Sequence, residues 1–491
     1  MATREGRKSG FKLGGRDGSA RRPYQETDLH PPENSHPSCA NPSVGVGAHR
    51  TSQRGIPTSG KLNFFEPFHA LPLLTCMKIK HFLFLLPAAF AFAAPVATAQ
   101  PYRTDINPAL TYYQAFNAAP DQSQEDRDYL LTNIWQGQKL PDRVGKLLSG
   151  YDNEFRLLRM AAQSTVACDW GIDWGAGPET LLTHLAPAKK AAQVASLRVM
   201  WDLQQNEETN ACADLLAALV LGRNISTDRS LIGVLVQFAI EKIVYFTIAE
   251  TFNHLSPEAL TQIAQGLNGP PPRGTVADAG PTENYLKYWF TNRIAELQTA
   301  NPGNDAKVME GFHSIWDSFT RGDGSDSNYR WPQIEAASGG TSDGVMKLFG
   351  DLNGMYSRLI SIESLPRGQY EEEAEVFLKE VDKSPNPLIR ELFPAWRKCR
   401  SKEFGAIADL AMVQAAIQYK LHGQAGFNSV TNPIGQGPFS FQRFTFNGAD
   451  RGFELNADYN GSGFPEVFIF QETDGPPFVV FGKNAGKTPE P

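Results

Sequence analysis

The sequence has few of the residues that most often bind metals, with 5 cysteines and 9 histidines among 491 residues. Cys-x-x-Cys and His-Glu-x-x-His patterns are absent, and so are the phosphate-binding P-loop, the dinucleotide-binding glycine fingerprint and the Gly-x-Ser-x-Gly elbow. Each of these patterns places ligands or nucleophiles at a fixed spacing, so their absence leaves no motif on which to place such chemistry. We therefore predict no metal site and no cofactor.

What the sequence does contain is a complete secretory signal peptide, starting at Met77. Its stretch MKIKHFLFLLPAAFAFAAPVATAQ has a basic head, an apolar run of 13 residues and small residues just before Gln100. The apolar run is shorter than the roughly 20 residues that a membrane-spanning helix needs. We therefore predict a signal peptide at 77–99, an exported protein (periplasmic or extracellular) and no membrane span after cleavage.

Residues 1–76 precede this signal and need a separate explanation. They are rich in Gly, Pro, Ser and Arg and carry almost no apolar periodicity before Leu62, a composition typical of disorder. One interpretation is a basic tail that binds an acidic partner. The interpretation that we favour is a spurious N-terminal extension, with translation starting at Met77, because signal peptides normally begin a chain.

Removal of residues 1–99 makes the remaining chain strongly acidic. It keeps 34 basic and 47 acidic residues, a net charge of −13 against −7 for the full sequence. Such a surface repels phosphate backbones and shows no basic stripe, so we predict no nucleic-acid partner. Three cysteines remain, Cys168, Cys212 and Cys399, and an oxidising compartment would allow one disulfide among them, with its pairing open.

Apolar residues recur at helical spacing over 105–423, which predicts a mainly α protein with a multi-helical domain. The segment 231–252 is apolar nearly all round, so we expect a buried central helix there. Pro178 is predicted to open a long helix, since proline favours the first helical turn. Short connections between helices favour antiparallel hairpins, arranged either as an array or as a bundle. Further helices are predicted at about 256–267, 282–300, 304–319, 343–363, 369–382 and 399–421.

The pattern changes after Gly423, and residues 425–486 are predicted to form a small antiparallel β-meander packed on the last helices. Phenylalanines alternate with polar residues in several short runs, separated by Asn-Gly and Asp-Gly turn signals such as Asn447-Gly448. A phase slip between Phe441 and Phe444 suggests a β-bulge. FVVF at 478–481 is a fourth candidate strand.

The best candidate site is the loop 168–175, which contains two Asp-Trp-Gly units four residues apart. Asp169, Trp170, Asp173 and Trp174 could stack on a sugar ring and accept hydrogen bonds from its hydroxyls, and two carboxylates could act as acid and base in glycoside hydrolysis. The structural alternative, which we favour, is that both tryptophans anchor the loop while an aspartate caps the next helix.

Six stretches of the sequence carry a resemblance to other proteins: 168–192, 215–223, 228–239, 416–423, 432–444 and 451–459. In them the chain resembles an uncharacterised family of exported, mostly helical bacterial proteins, and the resemblance implies no activity. Its last part is also similar to the ends of type II secretion pseudopilins, where a helix leads into a small sheet. A pseudopilin, however, has one long apolar helix at its mature N-terminus, and this chain has none there.

Taken together, these patterns favour an exported binding or scaffold protein of the cell envelope, with a protein or glycan partner. A helical array would offer such a partner a concave surface. The alternative is a glycan-acting hydrolase or a glycan-binding protein that uses the loop 168–175. We expect no enzymatic activity unless Asp169 and Asp173 carry it.

Overall fold

The computed structural model describes residues 105–131, 139–320, 327–435, 437–461 and 466–474. The N-terminal extension at 1–76, the signal peptide at 77–99 and the fourth candidate strand at 478–481 lie outside the described residues, and so does the end of the predicted sheet region. The described residues belong to one compact unit.

The described chain is mainly helical with one small antiparallel sheet, as predicted. Three short 3-10 turns, at Trp174–Glu179, Ser226–Asp228 and Phe252–His254, join some of the helices. The strands are β1 (Ser440–Phe446), β2 (Ala449–Asn456) and β3 (Val467–Gln471). The helices are α1 (Pro108–Ala118), α2 (Gln124–Leu131), α3 (Asp142–Ser149), α4 (Asp152–Ala162), α5 (Leu185–Gln204), α6 (Glu208–Ile225), α7 (Leu231–Glu250), α8 (Pro257–Leu267), α9 (Val276–Glu283), α10 (Tyr285–Ala300), α11 (Asp305–Thr320), α12 (Ser327–Ala337), α13 (Ser342–Gly350), α14 (Leu352–Glu363), α15 (Arg367–Lys383), α16 (Pro387–Leu392) and α17 (Pro394–Asn428).

Helix α7 is the centre of the fold, which confirms the predicted buried central helix. It contacts α5, α6, α9, α17 and β3, elements that come from both sides of it in the sequence. In a helical-hairpin array each repeat contacts only its neighbours along the chain, so this packing is that of a bundle. By length and composition alone α7 could cross a membrane, and 56% of its most apolar window is buried.

Several helix boundaries differ from the predicted ones. The predicted helix 343–363 is two helices, because α13 ends at Gly350 and α14 starts at Leu352. The predicted helix 399–421 runs from Pro394 to Asn428, with a non-helical residue at Gly423 where the sequence pattern changes. The prediction that Pro178 opens a long helix is wrong, because Pro178 lies inside a 3-10 turn and α5 starts at Leu185.

The sheet is a meander of order β1-β2-β3, and its first turn is the predicted one. Asn447 and Gly448 both have positive φ, which lets a two-residue turn follow the twist of the paired strands. The irregularity lies later than the predicted bulge: Phe444 pairs with Gly452 and Thr445 with Asp450, so Arg451 of β2 is the extra residue.

The sheet packs through aromatic side chains on both α17 and α7. Phe453 contacts Tyr419 of α17 and Phe252 of the 3-10 turn after α7, and Phe468 stacks on Phe246 of α7 with ring centroids 4.7 Å apart. An ion cluster with buried carboxylates joins the same elements: Nζ of the partly exposed Lys242 in α7 lies 3.3 Å from a carboxylate oxygen of Asp409 in α17. It lies 2.8 Å from one of Glu466, just before β3.

The three described cysteines form no disulfide with one another. Cys168, Cys212 and Cys399 are all free and buried. Burial raises the pKa of the Cys168 thiol to about 12 and that of Cys212 to about 11, so both stay protonated and unreactive at neutral pH.

Candidate functional site

The first Asp-Trp-Gly unit anchors the loop 168–175 to the core. Trp170 is 5% exposed, and its Nε1 donates a hydrogen bond to the Asn224 carbonyl at 2.7 Å. The indole stacks on Tyr112 and on His184, with ring centroids 5.6 and 4.5 Å away. Asp169 accepts a hydrogen bond from the Gly171 amide, which closes a tight turn. Protein groups therefore cover the Trp170 ring, which leaves no surface on which a ligand could stack.

The second unit has the same local chemistry but a different environment. The Asp173 carboxylate accepts a hydrogen bond from the Gly175 amide at 2.8 Å and caps the 3-10 turn, as the structural alternative expected. The Thr180 hydroxyl donates to the Asp173 carbonyl, which ties the two ends of the turn together. Trp174 is half-buried at the start of this turn and lines a cleft.

This cleft has a volume of about 890 Å³, within the usual range for a small-ligand or side-chain site. Its walls come from the 3-10 turn, the first turn of α7, the end of α9, one face of α10 and the end of α11. The walls are mostly apolar and aromatic; the aromatic side chains are Trp174, Tyr285, Trp289 and Phe319.

Trp289 of α10 forms the floor against the 3-10 turn. Gly177 has φ 63° and ψ −131°, and a Cβ placed there would lie 2.4 Å from the indole of Trp289. Only glycine fits such a backbone and such a close approach. The guanidinium of Arg293, one turn further along α10, lies 5.4 Å from the centre of the Trp289 ring, a cation–π contact. The ring is thus held between backbone and guanidinium.

Polar groups at the cleft are tied to the first turn of α7. Ser230 caps this helix by accepting a hydrogen bond from the Gly233 amide, and Glu283 accepts one from the Leu231 amide at 2.8 Å. Burial raises the pKa of Glu283, and the hydrogen bond from Leu231 partly opposes this shift. The helix N-terminus is therefore already satisfied by protein groups.

Behind the cleft, His184 lies under Trp170 with no exposed surface. Its Nε2 is 3.4 Å from an oxygen of Asp228, whose other oxygen accepts the Ser230 hydroxyl. In a catalytic triad the histidine lies between serine and carboxylate, whereas here the carboxylate lies between them. This order places no histidine base at the serine.

The structure thus separates the four predicted site residues. Trp174 is on the cleft, Trp170 is in the core, and Asp169 and Asp173 are exposed, each accepting a local backbone hydrogen bond. Among the residues described, no group of three or more His, Cys, Asp and Glu side chains could hold a metal ion. The arrangement supports binding through aromatic surface, and ligand binding by the loop stays a prediction.

Sequence reasoning did not identify the α10 wall of the cleft. This wall has three side chains at successive intervals of four residues, Tyr285, Trp289 and Arg293, and such spacing places all three on one face of a helix. That spacing is visible in the sequence. The site could not be predicted because this face packs against the turn at Gly177, which lies more than a hundred residues earlier in the sequence.

Comparisons of the chain with models of protein families, with curated proteins and with solved structures found no match. The resemblances drawn from the sequence therefore stay predictions.

Proposed function

We propose that this protein is an exported binding protein that holds an apolar segment of a protein partner in the Trp174–Trp289 cleft. The observation that carries the proposal is the cleft itself, with two indoles on facing elements and a volume of about 890 Å³. Aromatic pockets of this kind supply most of the binding energy in protein interfaces. Export is supported by the signal peptide of the sequence.

The rim of the cleft favours a protein partner. Ile232 lines the cleft and is 48% exposed, Leu181 lies between two lining residues and is 78% exposed, and Tyr288, beside Trp289, is 51% exposed. Leu181 and Tyr288 adjoin lining residues in the sequence, and exposed large apolar side chains beside a cleft are typical of an interaction surface.

The charges at the cleft define the partner further. Glu179 lines it and is exposed, whereas Glu283, which also lines it, accepts a hydrogen bond from the Leu231 amide. Arg293, the cation among the described lining residues, lies 2.5 Å from the carboxylate of Glu296. The available charge is therefore negative, which favours a segment with aromatic or aliphatic side chains next to Lys or Arg.

Selection from a displayed random peptide library, followed by fluorescence polarisation with the purified protein, tests this proposal. We expect selected peptides to combine apolar and basic residues. Leu181→Lys and Ile232→Lys should each weaken their binding at least about tenfold, since both place a charge on the rim. Val376→Lys is the matched control, because Val376 is 49% exposed on α15 and lines no part of the cleft. Equal peptide affinity for the parent and for both rim variants would contradict the proposal.

A glycan ligand is the second candidate, favoured by the half-buried indole of Trp174 beside Glu179 and Thr180. A flat indole face next to carboxylate and hydroxyl groups suits a sugar ring, with its apolar face on the indole. A glycan array answers this directly. Hits that Trp174→Ala abolishes and Leu181→Lys leaves intact would replace the peptide with a glycan as the ligand.

A further inference from the structure

A second pocket of about 540 Å³ shares no lining residue with the cleft. It lies between α3, α4 and the end of α5, and the start of α6 closes it. Three arginines and three acidic residues line it, so its charges are balanced in number. They are Arg156, Arg159, Arg198, Asp152, Asp202 and Glu207.

Two of the arginines share one fully buried carboxylate. Asp214 has no exposed surface, and its two oxygens lie 2.5 Å from Nε of Arg159 and 2.9 Å from Nε of Arg198. Nη1 of Arg198 donates to the Leu148 carbonyl and to Asp152. These contacts fix both guanidinium groups against α3 and α6. Nη2 of Arg198 takes part in none of these hydrogen bonds.

Asp202 lines this pocket, and one of its carboxylate oxygens has no hydrogen-bond partner in the described part of the chain. It is 9% exposed, and its Oδ2 is buried with no hydrogen bond to any residue that the structure describes. Asp202 follows Arg198 by one helical turn on α5, a spacing at which oppositely charged side chains commonly pair. Yet Arg198 pairs with Asp214 and Asp152 instead. A buried carboxylate and a buried guanidinium are thus held on one face of α5 without satisfying each other.

Such an arrangement destabilises the folded protein, because an unpaired buried carboxylate oxygen costs free energy. Burial raises the pKa of Asp202 to about 6, and Arg198 opposes the shift while Asp214 and Glu207 add to it and Arg159 reduces it. A ligand that brings a positive group to Asp202 removes this cost, and a negative group on the same ligand can accept from Nη2 of Arg198.

Part of the remaining wall is apolar, beside the polar side chains of Ser149, Gln163 and Asn210. The half-buried ring of Trp201 lies directly on the backbone of Gly145, where a Cβ would come within 2.4 Å of it. Phe155 and Met160 line the pocket from α4. This wall suits an aliphatic side chain beside the two charged groups.

We propose that this pocket binds a free α-amino acid with an aliphatic side chain, its ammonium on Asp202 and its carboxylate on Arg198 and Arg159. The two charged groups of an α-amino acid are joined through one carbon, which matches two side chains one turn apart on a helix. A sugar would supply hydroxyls but no cation for Asp202, and a simple anion would leave Asp202 unpaired.

Isothermal titration calorimetry with leucine and two analogues tests the charge requirement on the full protein. Leucine should bind, whereas 4-methylpentanoate, which lacks the ammonium, and 3-methylbutylamine, which lacks the carboxylate, should each bind at least about tenfold more weakly. The proposal fails if 4-methylpentanoate binds as tightly as leucine. It also fails if none of the standard amino acids binds at about 10 mM, a concentration that nearly fills a site of millimolar affinity.

Asp202→Asn tests the residue itself, because the amide keeps the shape and removes the charge. We expect at least about a tenfold loss of leucine affinity with an unchanged or higher melting temperature. Asp382→Asn, on the exposed face of α15, is the control and should bind as the parent does.

Binding should also weaken about tenfold between pH 7 and pH 5 in the parent, as Asp202 takes up a proton, and should lose this dependence in Asp202→Asn. Unchanged affinity in Asp202→Asn, or tight binding of glucose in place of leucine, would overturn the proposal.

Discussion

The two Asp-Trp-Gly units of the loop 168–175 have the same local chemistry and opposite roles. In each, the aspartate accepts a hydrogen bond from the amide two residues later. Trp170 is nevertheless enclosed by α1, α6 and His184, whereas Trp174 lies on an open cleft. The motif determines the turn, and distant segments determine whether its indole becomes core or surface.

The largest effect that separates the two units is expected from Trp170→Ala. Removing this buried indole leaves a cavity and removes its hydrogen bond to the Asn224 carbonyl, so we expect the free energy of unfolding to fall by about 3–5 kcal/mol. Urea denaturation followed by circular dichroism measures it. A loss below about 1 kcal/mol would mean that Trp170 is no anchor.

Gly177→Ala should have the next largest effect on stability, because the added Cβ would clash with a side chain that lines the cleft. The positive φ and the 2.4 Å approach to Trp289 both oppose a Cβ, so we expect a loss of about 2–4 kcal/mol. Gly368→Ala is the control, since a Cβ there meets no atom within 4 Å. Equal stability of the two variants would contradict the tight contact.

The comparison of buried with exposed groups extends to charge at Glu363. It is 1% exposed, and burial raises its pKa to about 8, with Arg400 opposing the shift. The folded state therefore keeps a proton that the unfolded chain has released, so this contribution to stability is complete below pH 4.5 and is lost as the pH rises to about 8.

Glu363→Gln should remove that dependence. We expect it to gain about 2 kcal/mol over the parent at pH 8 and nothing at pH 4.5. Thermal melts across this range measure the difference. The exposed Glu372→Gln should follow the parent at every pH, and a similar gain in that control would show that the effect is unrelated to burial.

The smallest effect on stability is expected from Trp174→Ala. Its indole is only half-buried, so the free energy of unfolding should fall by less than about 1 kcal/mol. Its effect should appear in ligand binding instead. Urea denaturation of Trp174→Ala and Trp170→Ala in parallel measures the difference between the two indoles. Similar losses of stability in both variants would contradict the difference in burial.

Much of the fold could be predicted from the sequence because local patterns specify it. The apolar run of α7 predicted a central helix, and Asn447-Gly448 predicted a hairpin turn. The long helix expected at Pro178 does not form because the backbone leaves helical geometry at Thr180, with φ −56° and ψ 120°. The Thr180 hydroxyl donates to the Asp173 carbonyl, which closes the turn.

The sites were harder to predict, because each is made by segments that are far apart in sequence. Trp174 was named from its motif, but Trp289 meets it only through the fold. In the sequence, Arg198 and Asp202 are charged residues within a largely apolar helix, and such charges indicate a buried polar site. What the sequence could not show is that Asp214 takes Arg198 away from Asp202.

The ion cluster at Lys242 has a consequence for how the chain folds. Its ammonium needs carboxylates from α17 and from the residue before β3, segments 167 and 224 positions away. Loop-closure entropy must be overcome before either contact contributes, so we expect the sheet to dock late, on a helical surface that is already assembled. The helices and the sheet should then unfold in one transition, and the sheet should not be stably folded without the helices.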